Sequence, residues 1–386
     1  MTLKTHGPFA LIMIYLYPAT AWSLDPQSID IYGFDFTPTL LFSESYDDNF
    51  RELERGRQSS MVTKLAPSFE LKAEDRNSAT RLIWQPTRYI YHDEPDASNT
   101  AQRVRLNSIM EFTDRHRLKL DAEARKYERT TSTAVDGIND KIRSNRVNGL
   151  YTYGARSAAN QIDLGASYAQ LRYDNSDGIN DDKERNTTGL TTTWYHRIGS
   201  NTRGLLEYDH TVFDYLQSGS RLNSTSDAVL AGAEWDFTAR TSGKVRVGYE
   251  RKNFDDNSVD DLSNPTWQVD LRWKPRTYST FSFVAHQAMA EGDDGADAVK
   301  TTSALFGWRH GWTERITTVA EAGLSRYEYE GQNRTDDLHD YNLAVEYAMR
   351  RWLDIELGYR YRNDNSDADN QSFERNIFLL SFNISL

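Results

Sequence analysis

The side chains best able to engage a solute are charged residues that recur two positions apart. Arg103 and Arg105 form one such set; Lys119, Glu123 and Arg125 form another; Lys244, Arg246 and Glu250 a third. Arg272, Arg309 and Arg350 stand in similar surroundings, and Arg360 and Arg362 close the series. A guanidinium offers planar donors to sugar hydroxyls and can hold a carboxylate through two parallel bonds. The same charges could equally brace a wall as salt bridges, because Glu111, Glu207, Glu234, Asp270, Asp354 and Glu356 share their alternating phase. Mixed signs screen one another, so strong ion selectivity is not expected.

Other chemistry finds little support. None of the eight histidines has the His-x-x-x-His spacing of a metal-binding element, and no Gly-x-Ser-x-Gly marks a nucleophile. Adjacent carboxylates such as Asp47-Asp48, Asp181-Asp182, Asp255-Asp256, Asp260-Asp261, Asp293-Asp294 and Asp336-Asp337 fall in expected loops. The stretch 174–182 is superficially like a calcium loop, but its twelfth position is Arg185, not the bidentate Glu. No catalytic residue, metal or cofactor is expected, and solvated loops are the default reading. A formal charge of −12 argues against a nucleic-acid partner.

These charges are carried by segments whose apolar residues alternate with a period of two, which is the signature of a strand with two unlike faces. Leu353, Ile355, Leu357, Tyr359 and Tyr361 alternate with Asp354, Glu356, Gly358, Arg360 and Arg362. Trp267, Val269, Leu271 and Trp273 do so with Gln268, Asp270, Arg272 and Lys274. The final segment reads Phe378, Leu380, Phe382, Ile384 and Leu386 on one face and Ser381, Asn383 and Ser385 on the other. Alternation alone fits a soluble sandwich, polar face outward, as well as a membrane barrel, polar face inward.

Three further features favour the barrel. Short turns near 75–77, 114–116, 157–159, 199–201, 238–240, 274–276, 311–313 and 350–351 alternate with longer acidic loops. Those loops fall near 47–58, 93–100, 130–144, 174–185, 217–224, 255–264, 291–299, 330–338 and 363–371, which implies about 16–18 strands. At the start, Lys4 and His6 precede the apolar run Phe9–Tyr17, followed by Pro18-Ala19-Thr20-Ala21-Trp22-Ser23. That is the layout of a secretory signal over 1–23, cut after Ala21 or Ser23. The chain then ends inside an alternating strand, as an outer-membrane barrel does.

Composition agrees. Only 38% of residues are hydrophobic, yet there are 22 Tyr, 16 Phe and 9 Trp. A membrane barrel needs one apolar residue in two and gathers aromatics at both interfaces. Trp194, Trp235, Trp273, Trp308 and Trp352 lie near expected short turns. Tyr46, Tyr91, Tyr127, Tyr173, Tyr215, Tyr329 and Tyr361 lie near expected loops, so two lipid-facing girdles are expected. There is no cysteine, hence no disulfide or thiolate site.

The first strand and loop, Phe36-Thr37-Pro38-Thr39-Leu40-Leu41-Phe42-Ser43-Glu44-Ser45-Tyr46-Asp47-Asp48-Asn49-Phe50, resemble the start of the beta-barrel porins of the second type. Similar exits recur at Tyr173-Asp174-Asn175 and Phe254-Asp255-Asp256-Asn257. The resemblance implies an outer-membrane conduit for an extracellular polysaccharide, with possible periplasmic export partners and no family-wide catalytic residues. The expectation is therefore an all-β transmembrane antiparallel barrel over 24–386 in the bacterial outer membrane. Its surroundings would be outer-membrane lipid and lipopolysaccharide, and its role polymer export. A general or sugar-selective diffusion porin is the alternative, and an outer-membrane enzyme or structural barrel the second.

Overall fold

The structure is a computed structural model that describes residues 27–131, 138–176, 178–238, 240–292 and 295–385. The expected signal segment 1–23, Asp177 of the calcium-like loop, the Asp293-Asp294 pair and Leu386 lie outside the described residues.

Nineteen strands follow one another: β1 (Ile29–Ile31), β2 (Phe34–Asp47), β3 (Ser60–Asp75), β4 (Ser78–Tyr91), β5 (Asn99–Thr113), β6 (His116–Arg129), β7 (Asp140–Tyr153), β8 (Asn160–Tyr173) and β9 (Arg185–Arg197). They continue as β10 (Thr202–Tyr215), β11 (Ser224–Thr238), β12 (Thr241–Phe254), β13 (Leu262–Arg276), β14 (Ser279–Glu291), β15 (Ala298–Gly311), β16 (Ile316–Glu330), β17 (Arg334–Arg350), β18 (Leu353–Ser366) and β19 (Phe373–Ser385). Among the described residues the short β1 pairs only with β2. From β2 onward each strand is antiparallel to the next, and β19 returns to pair with β2. Eighteen strands thus close into a barrel, the upper end of the expected count. No helix among the described residues is long and apolar enough to cross a membrane.

The alternation has the inside-out sense. Val147, Leu190, Val229, Val247, Leu343, Leu357 and Phe378 are exposed on the outer surface, Leu357 to 64%. Their neighbours in sequence point into the lumen. Because directly paired residues share a face, the register Leu357↔Leu380 and Tyr359↔Phe378 carries the apolar coat from β18 to β19. The wall strands run 13–17 residues, more than the roughly 9–11 that cross a bilayer. They therefore overshoot it.

The tryptophan girdle lies where expected. Trp273 stacks on Phe281 at 5.2 Å, Trp312 meets Trp308 edge-on at 6.3 Å, and both groups sit beside short turns on the outer surface. The tyrosine girdle is a correction. Tyr91, Tyr127, Tyr173, Tyr215 and Tyr329 share the lumen phase of their strands, and Tyr215 and Tyr329 are buried there. The outer ring is made instead by Tyr168, Tyr208, Tyr249, Tyr341 and Tyr359, together with Tyr46 and Tyr361. Proximity to a loop fixes height along the wall, but a one-residue change of phase fixes the side.

Loop lengths also differ from expectation in places. The β16–β17 connection is only 331–333, so Asp336 and Asp337 lie on β17 and not in a loop. Likewise β7 begins at Asp140 and the β13–β14 turn is 277–278.

Candidate functional site

The lumen carries nearly all the charged residues singled out above. Arg103 and Arg105 lie on β5; Lys119, Glu123 and Arg125 on β6; Lys244, Arg246 and Glu250 on β12; Arg272 on β13; Arg309 on β15; Arg360 and Arg362 on β18. All occupy the phase opposite to the apolar coat. Arg350 departs from the set. It is the last residue of β17, displaced by a bulge so that it pairs with the outward Leu353, and it sits exposed at a turn.

The charges segregate around the barrel. On β5–β7 a single carboxylate serves a group of arginines. Arg103 Nε donates to Glu123 Oε2 at 2.7 Å, Arg105 Nη2 lies 3.3 Å from the same oxygen, and Arg125 Nε is 3.8 Å from Oε1. Arg146 stands directly opposite Glu123 on β7. Arg125 also covers the Tyr127 ring at 4.7 Å.

The wall from β10 to β19 is different. It encloses a cavity of about 980 Å³. Its floor is apolar: Val284 pairs with Leu305, and Val319, Ala344, Gly358 and Leu379 follow one another across four strands. Gly323 and Gly358 present no side chain, which leaves this stretch smooth. Several charges around the floor are paired. Arg309 holds Glu346 through both carboxylate oxygens, one at 2.8 Å; Arg360 holds Asp340 at 2.8 Å; Arg246 bridges Glu207 and Gln268. Glu321 and Glu356 add negative charge, and Glu356 pairs across the ladder with Glu346.

Loops narrow the mouth. The first loop, 48–59, turns inward: Asn49, Phe50 and Glu52 are buried, and Phe50 lies 4.9 Å from the lumen-facing Tyr91. Arg51 donates to the Thr130 carbonyl at 3.0 Å, and Thr130 Oγ1 returns a bond to the Phe50 carbonyl at 3.0 Å. Glu52, at φ 53°, is gripped by Arg362 and by Arg375, whose Nη1 lies 2.8 Å away. On the other side Tyr215 donates to Glu291 at 2.8 Å beside the Lys252–Glu291 ion pair. There Arg221 ties loop 216–223 to Asp297 at 2.8 Å, and Phe254, Val259 and Ala298 pack together.

Sequence reasoning missed Glu52, Asp340, Glu346 and Arg375. Asp340 and Glu346 follow the alternating phase of β17 and were legible in principle. Glu52 lies in a loop with no period to read. Among the described residues no three His, Asp or Glu side chains gather closely enough to hold a metal.

The family model described as "Putative beta-barrel porin 2" matches residues 24–385. The chain belongs to this family. No curated protein matches it. Among solved structures, this porin is similar in fold to OccK2 (OpdF) of Pseudomonas aeruginosa in complex with glucuronate, at 9% identity, with 91% of this chain and 98% of that one covered and a TM-score of 0.50. OccAB2 of Acinetobacter baumannii is similar at 11% identity, over 91% and 98%, with a TM-score of 0.50. The FrpB iron transporter of Neisseria meningitidis, F5-1 variant in its apoprotein form, gives 11% identity, 88% and 62% coverage and a TM-score of 0.51. The chain thus spans 62% of that transporter's length. At such identities the likeness is one of fold: this is a porin-like barrel of the bacterial outer membrane.

Proposed function

We propose that the barrel is a passive diffusion channel for small hydrophilic solutes, sugars and sugar acids in particular, taken inward. The carrying observation is a closed wall around a lumen with a guanidinium cluster on one side and a smooth cavity on the other. Arg105, Arg125 and Arg146 stand around Glu123 beside Arg103, so a passing carboxylate meets several guanidiniums and can exchange for Glu123. The apolar floor at Val319, Ala344 and Leu379 suits the C–H face of a sugar ring. Weak, repeated contacts of this kind let a solute leave as readily as it enters. Similarity of fold to a porin in complex with glucuronate accords with this reading.

Polysaccharide export is less well supported. A moving polymer needs an unobstructed mouth, whereas two inward-folded loop groups occupy this one. The first 23 residues are proposed to be a signal removed on secretion, which N-terminal sequencing of membrane-extracted protein would test.

The deciding experiment is liposome swelling with purified barrel. Glucose and glucuronate should permeate, glucuronate faster than its neutral counterpart, and long oligosaccharides should be excluded. Absence of permeation, together with loss of secreted polymer in a deletion strain, would return the export role.

A further inference from the structure

Several cations on the outer face of the wall are neutralised one for one. Toward the loop ends of the strands, Arg326 is held by both oxygens of Asp337 at 2.8 and 2.9 Å. Arg251 meets Asp261 at 3.1 Å, and Lys300 meets Glu328 at 2.6 Å. Arg88, opposite the outward Leu65, donates to the neutral Thr100 hydroxyl at 3.1 Å, but one stretch gathers several cations together. On β6, β7 and β8 the residues Lys126, Arg143 and Arg172 lie in direct cross-strand register, Lys126↔Arg143 and Arg143↔Arg172. All three share the outward phase of Ala122, Val147 and Tyr168, two rungs nearer the loops.

Among the described residues one carboxylate serves this row. Asp174 lies 3.3 Å from Lys126 Nζ and 2.8 Å from Arg143 Nη2. Among the described residues no acid pairs with Arg172: its guanidinium donates to the carbonyls of Leu171 and Arg185, each at 2.8 Å, and to Asn186 Oδ1 at 2.6 Å. Those neutral acceptors fix its direction while leaving its charge uncompensated. Lys126 and Arg143 stay 65% and 53% exposed. The next row out, Lys141 opposite Glu128, is again balanced.

Position decides what meets this surplus. Directly below the row lies a mixed rung, Ala124, Asn145 and Gln170, and beneath it the wall becomes apolar, with Val147 and Tyr168 exposed to acyl chains. The row therefore sits where hydrocarbon gives way to headgroups. We propose that Lys126, Arg143 and Arg172 form a docking site for the phosphorylated sugar headgroup of an outer-leaflet glycolipid, its acyl chains lying along Val147 and Tyr168. Three adjacent cations present the donors that a phosphate monoester takes up. The partly exposed Asp174 is displaced from Lys126 as phosphate enters, or shares it through a divalent ion. The inference is independent of what the lumen carries.

The test is native mass spectrometry of the purified full-length barrel with lipid A, dephosphorylated lipid A and inorganic phosphate as separate probes. Wild-type protein should retain one lipid A and bind the dephosphorylated form about tenfold more weakly, as expected when charge-assisted bonds are lost. The triple variant K126Q/R143Q/R172Q should lose about the same factor for lipid A and discriminate no longer. R251Q/R326Q, which alters balanced pairs elsewhere on the same surface, should bind as wild type. If the triple variant fails to give a heat-modifiable barrel, K126Q/R143Q keeps the carbonyl bonds of Arg172 and should show most of the loss. Equal lipid A binding by variant and wild type would overturn the proposal. So would equal binding of the dephosphorylated lipid, or inorganic phosphate bound as tightly as lipid A.

Discussion

Across the lumen from the arginines of β5–β7 stands a wall that is smooth, partly apolar and, where charged, richer in acid. β6 and β15 are nine strands apart in a ring of eighteen, so the two walls face each other. Both follow the same rule of alternation, yet one places Arg103, Arg105, Arg125 and Arg146 around one glutamate and the other puts Val319, Ala344, Gly358 and Leu379 in a row. The comparison teaches that period-two patterning specifies which residues are inside, but the field a solute meets depends on which strands neighbour one another. Opposed walls give a crosswise field, where evenly mixed charge would give little.

Four tests bear on this contrast. The largest effect belongs to the premise that both walls are lumenal. Leu357→Lys, on the exposed outer face, should cost about 2–4 kcal/mol near the bilayer midplane, read as loss of heat-modifiable barrel. Equal folding of this variant and the wild type would remove the inside-out assignment altogether. Next comes the basic wall. Combined Arg103→Glu, Arg105→Glu and Arg125→Glu should lower the anion-to-cation permeability ratio roughly fivefold in planar bilayers, while single alanine variants change it little. An unchanged reversal potential would show that these arginines are structural braces.

A smaller effect is expected at Arg309. Its removal leaves Glu346 and Glu356 facing each other without the guanidinium that holds Glu346. Arg309→Ala should therefore destabilise the barrel by about 1–3 kcal/mol, visible as a lower unfolding midpoint in urea, and Arg309→Ala/Glu346→Ala should recover part of it. No loss in the single variant would mean that water serves Glu346 as well. The smallest effect is Glu356→Gln, which should raise anion preference by about a factor of two without affecting folding. A larger change than that of the arginine reversal would invert the ranking of the two walls.

Much of this was legible in the sequence, for identifiable reasons. Turn and loop lengths alternate, so the strand count emerges from punctuation alone. Side-chain phase follows from Leu353 to Arg362 and its counterparts, so the lumenal residues can be named. What failed were features set by neighbours or by loop geometry. Tyr91 and Tyr215 were expected toward lipid because height was read correctly and phase was not. Arg350 leaves the lumen because a bulge after Ala348 resets the phase in the last residues of β17. The even mixing of charge was inferred from single strands, whereas segregation arises only when Glu123 is seen among three strands at once. Polymer export came from a resemblance, and the narrowed mouth does not favour it.

One residue links two separate parts of the molecule. Where the ring closes, β19 and β2 share nine residue pairs among the described residues, against fourteen between β16 and β17. Arg375 reinforces the join by reaching from β19 to Asp47 on β2, with Nε 3.1 Å from each carboxylate oxygen. The same guanidinium grips Glu52 in the inward-folded first loop. The clasp that fastens the ring is thus also the hook that holds the loop. A chain whose ends have not yet met can pin that loop only at Thr130 and Tyr91, so its Glu52 end is fastened, and the aperture takes its final bore, only as the cylinder shuts.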